Sequence, residues 1–166
     1  RYDHFLEVFL DHPDDDMYDF SFNYFIHGLR VKSQDDLQVV ALAETMLESI
    51  LLHFKSKIHA EKVIENGLHF TSLWGRTLAV ETENDDVMKL SFKKDFDLAI
   101  RKSKDYGGIR IKLHPKSRKK LASLYKKISA LDPNATWFYH SSGKMLLNGS
   151  SKSPDSVQSK LSLNKV

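Results

Sequence analysis

The chain of 166 residues has no cysteine, which excludes disulfides, thiolate metal ligands and a cysteine nucleophile. It lacks a charged-then-apolar leader pattern, and no uninterrupted apolar run reaches bilayer length. These absences suit a reducing compartment, and the expectation is a cytoplasmic protein. Eight histidines include no His-Glu-x-x-His or similarly close pair, so no metal centre is expected. No serine has an identifiable base and orienting acid, and there is neither a His-Arg-Asp loop nor an Asp-Phe-Gly. Catalysis is therefore not expected. The chain opens on Arg1 rather than Met, and reads as part of a larger parent protein.

What is present is unevenly distributed charge. Residues 1–50 hold 3 Lys/Arg against 11 Asp/Glu, whereas residues 101–150 hold 12 Lys/Arg against 2 Asp. Either the two parts neutralise each other, or the basic part attracts phosphates, nucleic acid or an anionic membrane.

Apolar spacing divides the chain. Phe5, Leu6, Phe9 and Leu10 suggest a short helix ending before Pro13, and Asp14–Asp16 precede a second helix with an aromatic face from Phe20 to Leu29. Ser33, Asp35 and Asp36 signal a third helix, with Leu37, Val40, Leu47, Ile50, Leu51 and Phe54 as a stripe expected to be buried centrally. A short helix through Val63 and Ile64 is expected to stop at Asn66–Gly67 in a left-handed turn.

Beyond Gly67 the period shortens. Leu78 and Val80 alternate, as do Met88, Leu90 and Phe92 across the polar turn 83–86, which predicts a β-hairpin. Phe96, Leu98 and Ile100 fit strand or helix; Ile109, Ile111 and Leu113 fit a strand. Ser117 begins a predicted basic amphipathic helix over 117–131, and a last hairpin spans Trp137 to Leu147. The overall expectation is one α+β domain over residues 1–149, helical over 1–67 and β-rich over 68–149. A small, mostly antiparallel sheet follows the helices, and 150–166 is a disordered tail.

Arg76 and Thr77 open one predicted strand, Lys89 lies in the next, and Arg101 follows twelve residues later. Paired strands could bring these cations to one point, where a polyphosphate would collect charged hydrogen bonds. The stretch resembles the ATP-binding fingers of the siderophore synthetases that work independently of non-ribosomal peptide synthetases. The matching residues are Arg76–Thr77, Lys89–Leu90–Ser91–Phe92 and Ala99–Ile100–Arg101. A lysine on the second strand is similar also to a kinase-like N-lobe. The resemblance implies ATP as ligand, with Ser72, Arg76, Thr77, Lys89 and Arg101 as phosphate contacts. The first expectation is thus a non-catalytic phosphate- or nucleotide-binding module. A second is an adaptor docking on a phosphoinositide membrane or nucleic acid through Arg118, Lys119, Lys120, Lys126 and Lys127, with Trp137, Phe138 or Tyr139 available for stacking. A third is a protein–protein module whose acidic helices meet a basic partner.

Overall fold

The helical start follows from capping and helical periodicity, and the β-rich remainder from alternation. The computed structural model describes residues 20–33, 35–149 and 155–163. The helix expected over Phe5–Leu10 and the Asp14–Asp16 run fall outside these. The chain divides into two compact units, Arg1–Leu52 and His53–Val166.

In the first unit, helix α1 (Phe22–Lys32) places Arg30 and Lys32 in its last turn, where cations suit the helix dipole. Helix α2 (Asp36–Glu65) is started by Asp35, whose Oδ1 accepts the Leu37 N–H at 2.9 Å. The sequence suggests two helices here, but α2 runs unbroken for 30 residues. Nor is it the buried central helix expected: of residues 36–52 only Val39 is buried, and Leu37 is 80% exposed. By length and composition alone α2 could cross a membrane, which corrects the expectation that no such segment exists. Glu44 and Glu48 lie in its apolar half, where a hydrocarbon surrounding would be costly for them.

The second unit is built on a six-stranded sheet ordered β1-β2-β3-β4-β6-β5. Its strands are β1 (Leu68–Ser72), β2 (Gly75–Glu81), β3 (Leu98–Lys102), β4 (Ile109–Leu113), β5 (Trp137–Tyr139) and β6 (Met145–Asn148). Only the β2–β3 pair is parallel. A parallel pair requires a crossover, and helix α3 (Asp86–Lys93) supplies it. This corrects the hairpin reading: Met88, Leu90 and Phe92 belong to a helix. Its buried residues are Val87, Met88 and Ser91, at helical spacing. Asp95, at φ 62°, turns the chain out of α3 into β3.

Each sheet face has its own cover. On one, Ala79, Leu98, Ile100, Ile109, Ile111, Leu113 and Leu146 pack under helix α4 (Ala122–Leu131) through Leu121, Leu124 and Ile128. On the other, Leu78 and Val80 meet Ala60 and Ile64, from the end of α2 that belongs to this second unit, Val87 of α3, and Phe96. Gly67 makes that approach possible. The helix ends at Glu65, just before Asn66–Gly67 as expected, but the φ of Gly67 is not left-handed. A Cβ there would lie 2.7 Å from Leu78 Cδ1 and Val80 Cγ1, so close packing rather than a left-handed turn calls for glycine.

Two further boundaries differ from expectation. α4 begins at Ala122 rather than Ser117, leaving Arg118, Lys119 and Lys120 in the segment before it. Residues 155–163 also pack against the sheet unit, in place of a disordered tail. Ser159 N donates to Asn148 Oδ1 at 2.7 Å and Ser159 Oγ to Asp132 Oδ2 at 2.6 Å, while Leu161 and Leu163 rest on the core.

Candidate anion-binding site

The five side chains grouped by the sequence divide between two ends of the sheet. Arg76 lies near the start of β2, whereas Arg101 pairs with Val80. Four residues of strand separate those levels, about 13 Å. Ser72, Arg76 and Thr77 stay at the β1–β2 turn. Thr77 is fully buried, and its Oγ1 donates to Ser72 Oγ at 2.8 Å or to Gly75 O at 3.0 Å. Arg76 stacks on Phe96 at 4.3 Å and donates to Lys94 O at 3.2 Å. These groups build the turn, at the other end of β2 from Arg101.

Arg101 and Lys89 belong to the opposite end, where β2 leads through residues 82–85 into α3. That loop is held from both sides. Asn84 Nδ2 donates to Ser56 O at 2.8 Å, and Ser56 Oγ donates to Asp86 Oδ2 at 2.7 Å. Glu83 Oε1 accepts from Ser103 Oγ at 2.7 Å and from the N–H groups of Lys104 and Asp105. The Ser103 bond, helped by those N–H groups and Arg101, holds the Glu83 carboxyl below its usual range against a smaller desolvation effect.

Arg101 is 3% exposed. One guanidinium nitrogen, Nη1, donates to Glu83 O at 3.0 Å and meets Asp85 Oδ1 at 3.0 Å, while the buried Nε has no partner. Arg110, paired with Arg101 across β3–β4, places its own Nη1 2.9 Å from the same Asp85 oxygen. Lys112 follows Arg110 on that face, and its pKa is lowered, first by burial and next by Arg110. Arg101 and Lys89 add to this, and Asp85 opposes it. Two arginines thus share one carboxylate oxygen, with Lys112 close enough to feel all three groups, and that carboxylate belongs to a side chain 69% exposed.

Arg110 and Lys112 were missed in the sequence, although the alternation Ile109-Arg110-Ile111-Lys112-Leu113 carries their signal: both cations must share a face. The docking residues fare differently. Lys119 Nζ donates to Leu73 O at 2.8 Å and Lys120 Nζ to Ser142 O at 2.6 Å, while Arg118, Lys126 and Lys127 are exposed. Among the described residues there is no His/Asp/Glu group suited to a metal. No protein-family model matches the chain, and no curated protein resembles it significantly.

Proposed function

We propose that this chain is a phosphate-binding module. Its seat comprises Arg101, Arg110 and Lys112, flanked by Lys89, at the end of the sheet where β2 passes into α3. The observation that carries this reading is the shared carboxylate. Arg101 and Arg110 both meet a single oxygen of Asp85, a side chain 69% exposed, and Lys112 follows Arg110 on the same face. Asp85 stands in for an incoming anion, and a polyphosphate with several oxygens would satisfy the cluster better. Arg101 Nε, buried without a partner, offers one more donor. A tri- or pyrophosphate, free or as part of ATP, is the matching ligand class; Ser72, Arg76 and Thr77 have no part in it.

Calorimetric titration with tripolyphosphate and with ATP at low salt tests this. Each charged hydrogen bond contributes about 1.5–3 kcal/mol, so Arg110→Glu with Lys112→Glu should abolish measurable binding. Asp85→Asn, which removes the competing charge, should tighten it. Arg76→Glu should leave it unchanged. Absence of a signal from the unaltered chain, or equal losses in Arg76→Glu and Arg110→Glu, would refute the assignment.

The protein–protein reading keeps one observation of its own. Leu37, Val40, Leu47 and Leu51 of α2 are all more than half exposed, more apolar surface in one place than scattered exposure explains. The acidic charge of this half-chain favours a basic partner.

A further inference from the structure

Cross-strand register aligns the phosphate seat with an aromatic ring. Arg101 pairs with Arg110, Arg110 with Leu147, and Leu147 with Phe138, so four strands contribute one row on one face. The next row runs from Lys112 to Met145. The helices that bury Leu78 and Val80 cover the β2–β3 half of this face. Over β4, β6 and β5 no described helix lies on it: Arg110, Lys112, Met145 and Leu147 are half-buried and Phe138 is 56% exposed. Trp137 and Tyr139 point to the other side, Trp137 buried in the core and Tyr139 stacked on Tyr125 at 5.4 Å. Of the three aromatics in β5, only Phe138 is thus exposed on this face, with the His140 ring set nearly perpendicular to it at 6.3 Å. It lies two strand spacings from Arg110, about 10 Å.

The positive charge also continues in the other direction. Lys89, which repels Lys112, lines a cavity of about 170 Å³ with His53, Lys57 and Lys93, where Asp86 is the one acid and is already bonded to Ser56. Cations therefore form a track from the α2–α3 surface to the open sheet, ending beside an exposed aromatic ring. A compact polyphosphate would use only the middle of that track. A chain of phosphates carrying bases would use all of it.

Resting on the phosphate-binding reading, we infer that the ligand is a short single-stranded oligonucleotide. Its backbone would follow Lys57, Lys93, Lys89, Lys112 and Arg110, and one base would stack on Phe138. Stacking on a sheet-borne aromatic beside a basic track accepts any base, so the surface selects single strands over duplexes rather than a sequence.

Fluorescence anisotropy with a labelled oligouridylate of about eight nucleotides, within the usual site sizes, compared with tripolyphosphate calorimetry, tests this. Phe138→Ala should weaken the oligonucleotide roughly tenfold and leave tripolyphosphate unaffected. Lys57→Glu with Lys93→Glu should also spare tripolyphosphate, while reducing the oligonucleotide's log–log salt slope by about 1.4, from roughly 0.7 per lost phosphate contact. Arg110→Glu should weaken both. If tripolyphosphate binds through Arg110 but the oligonucleotide binds no better, or ignores Phe138→Ala, the strand assignment fails and the phosphate seat stands. If neither binds, both are overturned. A duplex of the same length binding as tightly would also overturn it.

Discussion

At the residue scale, the proposed seat depends on crowding. Lys112 sits half-buried beside Arg110, Arg101 and Lys89, and in the free protein its pKa is displaced downward, burial being the largest cause and Arg110 the next. A bound polyanion favours the charged ammonium, so binding should raise that pKa and take up protons as pH climbs through the lowered value. Tripolyphosphate affinity should therefore begin to fall on the alkaline side at a pH below that of an ordinary lysine, 10.5. Lys112→Arg, charged throughout, should flatten the decline. Titrations from neutral to alkaline pH check this, and identical profiles for the two proteins would refute it. The side chains themselves were only partly legible. Arg101 and Lys89 stand out in the sequence as cations, but their company depends on register. The string cannot reveal that Val80 pairs with Arg101, or that Asp85 turns toward two arginines instead of capping α3.

At the element scale, the sequence was clear wherever one face met the core and the other did not. Ile109, Ile111 and Leu113 alternate with half-exposed cations, so β4 was identifiable. In β3, Leu98 to Arg101 are all buried, both faces being covered, and alternation vanishes. In α3, Met88, Leu90 and Phe92 imitate alternation over a span too short to expose the helical period; only the tertiary burial of Val87, Met88 and Ser91 resolves it. The third helix was legible from its cap and stripe, but its exposure was not, because periodicity identifies an apolar face without identifying what covers it. That face supports a separate expectation. Leu47→Glu with Leu51→Glu removes exposed apolar surface from a helix whose propensity these residues barely change. The double variant should lose whatever association light scattering detects in the unaltered chain, or reduce its binding of a hydrophobic dye. Tripolyphosphate affinity should not move. A coupled loss of phosphate binding would show that the two surfaces are not independent.

At the scale of the molecule, the sheet unit is completed by a segment that composition suggested was dispensable. Serines and lysines dominate residues 150–166, yet the short apolar pattern of Val157, Leu161 and Leu163 is held by polar pins rather than by a helix or strand. Asn148 Nδ2 donates to Val157 O at 3.0 Å, Ser159 joins Asn148 to Asp132, and Lys102 Nζ donates to Leu161 O at 3.0 Å. Asn148 is fully buried on β6, and its amide is satisfied on one side by Thr136 O and on the other by this segment. Ending the chain at residue 149 would leave a buried amide oxygen unpaired, at a cost of about 1–3 kcal/mol. It would also uncover the core beside Leu161 and Leu163. The truncated chain should therefore unfold at a temperature lower by several degrees, about 4 °C or more per kcal/mol lost in a unit of this size. Ser159→Ala, which breaks only the pin to Asp132, should produce a smaller drop in the same direction. Differential scanning calorimetry distinguishes the outcomes, and an unchanged midpoint on truncation would return residues 155–163 to the status of a loose end. Because the proposed phosphate seat lies on the opposite sheet face from the core that Leu161 and Leu163 rest on, the truncated chain should still bind tripolyphosphate below its new midpoint.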